Sequence, residues 1–190
     1  VSAGVDAHLY PVVSGTGTLT VESGTLTLHG ANTYQGGTTV KGGTLVVSGS
    51  EATTKVLPEG KTVTVNASAT IELVAGLSFV TIEGEGKTLV SGTYTYGISN
   101  TFQNTLGTKT VEVAEGGVLQ FRAWKAYALT IDSLIVNGTL KSEGFDGTTV
   151  PTVTVAQNQK LSGVGTIEIP VTLADGALVG NAEVVPATAV

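Results

Sequence analysis

The chain has 190 residues, with 26 glycines, no cysteine, and a formal net charge of −6. This composition excludes a disulfide scaffold and thiolate metal sites, and the acidic balance argues against a nucleic-acid partner, which needs a basic surface. Apolar residues make up 41% of the chain, which excludes a disordered polymer, yet no stretch approaches the roughly 20 apolar residues of a membrane-spanning helix. The first ten residues lack the basic start and apolar run of a signal peptide, so we expect a mature piece or a fragment of a longer protein.

Short β-strands are predicted along the whole chain, because threonine alternates with aliphatic residues and Gly, Asn, Asp and Ser separate the runs. A Thr–aliphatic pair recurs at gaps of 19 to 29 residues, with a mean of about 22. We expect the aliphatic members to point inward and form one stack, which we call the predicted ladder. Its members are Val21, Val40, Val63, Ile82, Val111, Ile131, Val153 and Leu173.

A period near 20 residues, with short strands and glycine turns, is typical of a β-solenoid. The prediction is therefore an all-β fold in which about eight or nine coils stack about 4.8 Å apart, with residues 1–190 forming a single domain. Glycines would occupy the corners, where the backbone needs positive φ.

The regular spacing is interrupted in the middle third of the chain. The longest gap contains residues 91–107, which we expect to be a loop insertion at a corner. The stretch 120–130 carries the only arginine and the only tryptophan of the chain. Aromatic rings on these two stretches could stack on sugars, or they could be packed loops that cover the core. The candidate ligand-binding residues are Tyr94, Tyr96, Arg122, Trp124 and Tyr127.

No catalytic constellation is visible in the sequence. Glycoside hydrolysis needs paired carboxylates and acyl transfer needs a nucleophile with a His–Asp partner, and neither arrangement is present. We therefore predict no enzyme activity, no catalytic residue and no cofactor. The aspartates are interpreted as solvated turn residues: Asp6, Asp132, Asp146 and Asp175.

No metal site is predicted. Glu83, Glu85 and Asp132 could bind Ca²⁺, but without an Asp-rich loop a polar outer face is the simpler interpretation. His8 and His29 are 21 residues apart, which is about one coil, so we expect them to stack on the surface. Metal binding by this pair is the alternative.

The stretch from Ser14 to Gly49 resembles a known bacterial repeat. It contains "GTLTLHGANTYQGGTTVKGGTL", which is similar to the passenger-associated transport repeat of autotransporters, also called the autotransporter-associated beta strand repeat. The resemblance covers about one fifth of the chain, with a weaker echo at 161–181. It implies a right-handed parallel β-helix in a large secreted or surface-anchored bacterial protein. The repeat carries no catalytic residue, and residues 50–160 depart from its pattern.

Together these observations predict a structural or adhesive β-helical segment of an exported bacterial surface protein, outside the cell or anchored at the outer membrane. The expected partners are surface glycans or host and cell-surface proteins, and a second copy bound end to end, with no membrane span in this segment. The first alternative is a carbohydrate-binding or polysaccharide-cleaving β-helix with its site near Trp124. The second alternative is a self-associating extracellular filament subunit.

Overall fold

The computed structural model describes residues 5–51, 54–97, 105–122, 127–128, 131–142 and 152–180. Every regular element in these ranges is a β-strand, which confirms the all-β prediction. Among the described residues, no helix has the length and apolar character needed to cross a membrane. The strands are β1 (Asp6–Leu9), β2 (Leu19–Val21), β3 (Thr25–Leu28), β4 (Thr38–Val40), β5 (Gly43–Ser48), β6 (Thr62–Val65), β7 (Ala69–Ser78), β8 (Thr81–Val90), β9 (Thr93–Gly97), β10 (Leu106–Val113), β11 (Val118–Arg122), β12 (Tyr127–Ala128), β13 (Ser133–Val136), β14 (Thr139–Ser142), β15 (Val153–Val155), β16 (Lys160–Ser162), β17 (Thr166–Ile167), β18 (Val171–Leu173) and β19 (Leu178–Gly180).

Parallel pairing between strands of successive turns builds the solenoid. β3 pairs with β1 of the turn before and with β5 of the turn after, so that Thr25 lies opposite Asp6 and Thr44. The same pairing continues from β5 through β7, β8, β10, β13 and β16 to β19. Each turn therefore satisfies the backbone polar groups of its neighbours.

An inward-facing column of side chains runs through this stack and forms the centre of the core. In register order its buried members are Leu26, Leu45, Ile71, Thr88, Val111, Leu134 and Leu161. Partly buried Ala7 precedes them and exposed Val179 follows. The solenoid has about seven turns, close to the eight or nine predicted.

The predicted ladder is right about burial for seven of its eight members. Two of its adjacent pairs, Val21 with Val40 and Val63 with Ile82, lie in register, but the eight residues do not form one stack. Leu173 is 51% exposed, whereas the other seven are buried. Val111 lies opposite Thr88 and Leu134, neither of which belongs to the predicted ladder. The reason is that the long strands turn a corner within their own length. The first half of β8 pairs with β6 and its second half with β7, and Gly84 lies between the halves with φ of +121°.

The middle third continues the solenoid rather than departing from it. β9 pairs with β7 on one side and with β11 on the other, and Tyr94 lies opposite Leu119. Within the predicted loop insertion 91–107, residues 93–97 therefore form a strand, and Leu106 begins β10. Residues 98–104 of that insertion lie outside the described residues.

Turn length varies around the predicted mean. Residues that lie opposite each other in adjacent turns are separated by 17 positions in the case of Thr70 and Lys87, and by 27 positions in the case of Ser133 and Lys160. The transport-repeat resemblance falls where the offset is 19, as between Thr25 and Thr44. The strands stay in register while this spacing changes, so the number of residues between paired strands differs from turn to turn.

Replacing Val111 with Asp places a charge without a partner in the central column, so we expect the free energy of unfolding to fall by several kcal/mol, roughly 3 or more. The matched control is Leu173→Asp, because Leu173 belonged to the same predicted ladder but is half exposed. We expect this control to stay within about 0.5 kcal/mol of the parent. Urea unfolding followed by circular dichroism measures both. Equal losses in the two variants would contradict the register described above.

Candidate functional site: the corner of the repeat

Asn32 is buried at the corner between β3 and β4, and its amide joins three successive turns. The Val13 N–H donates to Asn32 Oδ1 at 2.8 Å from the turn before. Asn32 Nδ2 donates to the Gly30 carbonyl at 2.9 Å and to the Val56 carbonyl of the next turn at 2.8 Å. A backbone N–H needs an acceptor and a carbonyl needs a donor, so this network fixes the orientation of the amide. With its oxygen and both its protons engaged, Asn32 acts as a clamp between turns.

Tyr34 fills the space beneath the same corner. Its ring is buried, and its hydroxyl shares a hydrogen bond of 2.6 Å with the buried Thr38 hydroxyl. Burial raises the pKa of the Tyr34 phenol, and the hydrogen bond with Thr38 opposes part of that rise. The phenol is therefore neutral near pH 7 and serves packing rather than proton transfer.

Two glycines of the repeat are explained by close stacking of one turn on another. Gly43 has φ of +72°, and a Cβ there would overlap the carbonyl oxygen of Gly24 in the turn before. Gly24 has φ of +76°, and the Thr44 N–H donates to its carbonyl at 2.8 Å. The "SGTL" and "GGTL" segments are thus the same positive-φ corner in two adjacent turns, which is why the sequence repeats.

An open groove of about 610 Å³ lies beside the Asn32 corner. One wall is residues 31–35, and the other is Lys55 with residues 57–61 of the next turn. Buried Asn32 and Leu57 close the groove from below, whereas Thr33 and Gln35 are exposed. The groove therefore exposes hydroxyl and amide groups above a floor of buried side chains.

The charges of the groove are mostly positive. Lys55 Nζ lies 2.9 Å from Glu59 Oε2 and 5.1 Å from the centre of the Phe79 ring. Lys61 adds a second ammonium group to the same lining. These groups can bind a polar or anionic ligand, but they supply no nucleophile with a neighbouring base.

Two of the three acidic residues considered for Ca²⁺, Glu85 and Asp132, lie beside a lysine instead. Lys109 Nζ lies 3.5 Å from Glu85 and 3.9 Å from Asp132. A side-chain ammonium thus occupies the place where a cation would sit. Within the described residues, no group of three or more His, Asp or Glu side chains is arranged to hold a metal ion.

Tyr94 and Tyr96, two of the predicted ligand-binding residues, lie in the core rather than on a loop. Both side chains are fully buried on β9. The Tyr94 hydroxyl pairs with the Ser78 hydroxyl. The single proton of the Tyr96 hydroxyl is shared between two carbonyl acceptors, that of Val80 and, at 2.7 Å, that of Thr105. Burial raises the pKa of Tyr94, so its phenol is neutral near pH 7. A ligand cannot reach either ring in the folded protein.

Two of the other three predicted residues lie on strands. Arg122 ends β11 and its backbone pairs with Gly97, while Tyr127 begins β12 and pairs with Val153. Trp124 lies outside the described residues. A ligand site formed by these three residues stays a prediction.

The expected stacking of His8 and His29 is present. Their ring centroids are 5.5 Å apart with an interplanar angle of 13°, and Tyr10 stacks on His29 at 4.2 Å. All three residues lie in the first turns of the solenoid.

One comparison with known families matches the stretch that contains this corner. Residues 21–47, which run from the end of β2 into β5, match the family model described as passenger-associated-transport-repeat. This stretch is therefore similar to that repeat. Searches of curated proteins and of solved structures found no match. The repeat match and the solenoid fold together support a structural passenger segment of an autotransporter, and the matched family implies an exported surface protein.

The sequence pattern showed the resemblance to the transport repeat, but not the structural roles of the individual residues within it. Asn32 stands among exposed polar corner residues, and periodicity gives no sign that this amide is buried. The groove was also missed, because Lys55 and Lys61 approach residues 31–35 only when the next turn is stacked in place. A lone Asn between two glycine-rich segments is the one signal that could have suggested a corner clamp.

Replacing Asn32 with Leu removes the side-chain partner of the half-buried Val13 N–H and of the Val56 carbonyl, which still accepts from the Asn32 N–H at 3.4 Å. We expect a loss of about 1–3 kcal/mol in unfolding free energy for each group left unsatisfied. The control is Asn66→Leu, since Asn66 is exposed at a later corner. Hydrogen exchange of the Val13 amide provides a local readout and should accelerate only in the Asn32 variant. Equal urea midpoints for the two variants would refute the clamp.

Proposed function

We propose that this chain is a structural and adhesive segment of an exported bacterial surface protein, positioned outside the cell or anchored at the outer membrane. The observation that carries the proposal is the transport repeat lying within an unbroken parallel strand stack. The repeat is associated with passengers, and the stack makes the segment a rod that can hold a binding surface away from its point of attachment.

The structural part of this role follows from the geometry of the stack. About seven turns at a rise of about 4.8 Å give a rod roughly 34 Å long. The buried side chains form one core cluster along the rod, from Val21 to Ile169. A rod held by inter-turn hydrogen bonds and a continuous core resists bending, which suits a spacer.

The adhesive part is assigned to the groove beside Asn32, with a surface glycan as its ligand. Exposed Thr33 and Gln35 can exchange hydrogen bonds with sugar hydroxyls, and Lys55 and Lys61 favour sugars that carry a carboxylate. The groove combines hydrogen-bonding side chains with a net positive lining on a chain whose net charge is −6. This contrast favours an acidic glycan over a neutral one.

Screening the purified chain on a glycan array, followed by titration of the glycans it retains, tests the adhesive role. We expect the double variant Lys55→Glu, Lys61→Glu to lose at least about tenfold in affinity because the groove becomes acidic. Lys41→Glu is the control, since Lys41 pairs with Glu22 outside the groove. A reducing-sugar assay on each retained glycan should show no cleavage.

Three outcomes would contradict this assignment. Failure to retain any glycan would remove the adhesive role, and release of reducing ends would support the polysaccharide-cleaving alternative. Loss of binding in Trp124→Ala but not in the groove variant would move the site to the aromatic middle. Because Trp124 is the only tryptophan, its fluorescence reports ligand binding there directly.

We also propose self-association through the ends of the solenoid, with a second copy as the occupant. Among the described residues, β1 and β2 pair on one side only, as do β17, β18 and β19. The large apolar side chains that are exposed in the described part of the chain cluster at the same ends: Val5, Tyr10, Val12, Val164, Leu173, Leu178 and Val179. Unpaired strand edges and apolar side chains together favour backbone pairing between copies.

Light scattering across a concentration series tests this association. We expect the apparent mass to rise with concentration in the parent and to stay at the monomer value in Val179→Lys, because the added charge opposes stacking on β19. Thr64→Lys on the lateral surface is the control and should behave as the parent. A monomeric parent at all concentrations would defeat the proposal.

A further inference from the structure

His8, Tyr10 and His29 form a ring cluster on the first turns of the solenoid. His8 Nδ1 lies 3.2 Å from His29 Nε2, within hydrogen-bonding distance, and the planes of the two rings are nearly parallel, with an interplanar angle of 13°. Tyr10 stacks on the face of His29 with an interplanar angle of 3°. His8 and Tyr10 are exposed and His29 is half-buried, so the cluster is open to solvent on the side of His8.

The hydrogen bonds of this cluster determine where its protons lie. His29 Nδ1 is 2.9 Å from the Ser48 carbonyl, which can only accept, so Nδ1 carries the proton and donates. In the neutral ring the lone pair is then on His29 Nε2 and points at His8. A second ring nitrogen that donates to a backbone carbonyl is the arrangement that orients metal-binding histidines in proteins.

The separation of the two nitrogens fits one metal ion. With a metal–nitrogen bond of about 2.0–2.1 Å, two imidazole nitrogens lie about 3.3 Å apart on a tetrahedral ion and roughly 2.9 Å apart at a right angle. The observed 3.2 Å lies between these values. His8 is exposed, so its ring can rotate slightly to direct its lone pair at a shared ion.

We propose that His8 Nδ1 and His29 Nε2 together bind one divalent transition-metal ion of the Zn²⁺, Ni²⁺ or Cu²⁺ class, with water completing the coordination shell. On binding, the proton of His8 moves from Nδ1 to the solvent-facing Nε2, and the metal replaces the hydrogen bond between the rings. Imidazole is a good ligand for these ions. Because the ion joins His8 of β1 to His29, the residue that follows β3, it links one turn to the next.

The composition of the chain makes a metal-binding experiment simple to interpret. The chain has two histidines and no cysteine, so this pair supplies every imidazole and thiolate donor in the sequence. The double variant His8→Gln, His29→Gln therefore measures the background binding of carboxylates alone. The proposal is independent of glycan binding at the groove.

Isothermal titration of the purified chain with ZnCl₂ and with NiCl₂ measures stoichiometry and affinity. We expect one ion per chain, and at least a tenfold loss of affinity in His8→Gln and in His29→Gln alike, because either change removes the chelate. The melting temperature should rise with metal in the parent only. In ¹⁵N spectra of the imidazole rings, metal should shift His29 Nε2 while His29 Nδ1 stays protonated.

Several results would overturn the site. The parent binding no more tightly than the double variant would show carboxylate background only. Unchanged binding in His8→Gln would reduce the site to a single imidazole and remove the chelate. Metal on His29 Nδ1 in the ¹⁵N spectrum would contradict the role of the Ser48 carbonyl. Far-UV circular dichroism of each variant establishes that the compared proteins are folded.

Discussion

Hydrogen bonding between the backbones of successive turns is the interaction on which this structure depends. The strands are short and none can satisfy its own polar groups, so each turn needs the turn beside it. The contacts recur at the same positions in neighbouring turns, as in the bonds from the Lys41 N–H to the Val21 carbonyl and from the Thr44 N–H to the Gly24 carbonyl, each 2.8 Å. Once this pairing is in register, side chains alternate inward and outward, and the inward ones stack into columns.

Because of the same stacking, burying an inward-facing polar side chain costs free energy unless that side chain has a hydrogen-bond partner. The hydroxyls of Thr88 and Thr108, both buried, meet at 2.8 Å, and the Asn32 amide is fully engaged by three backbone groups. Among the described residues, no buried side-chain polar atom lacks a partner. The hydrogen bonds of Asn32 and of the Thr88–Thr108 pair therefore link adjacent turns, and they favour one register where an apolar column alone could slip.

The outward face has different constraints. Lys87 pairs with Glu112 at 2.6 Å and Lys41 with Glu22 at 2.9 Å, each across adjacent turns. Exposed ion pairs contribute little to stability, so the outer surface is free to change without loss of the fold. The core thus fixes the fold, whereas the outer surface can vary from turn to turn.

The sequence by itself determined the all-β class, the period near 22 residues and the transport repeat, because strand alternation and glycine corners are local signals that survive without knowledge of contacts. It also predicted that Val21 and Val111 are buried and that His8 and His29 stack. Only the tertiary structure decided the register and the site. Turn lengths vary from 17 to 27 residues, so counting along the chain placed Leu173 inside and Tyr94 outside, each on the wrong side. Burial, hydrogen-bond partners and grooves are formed by two stacked turns together. The sequence of one turn therefore does not show which residues of the next turn will contact it.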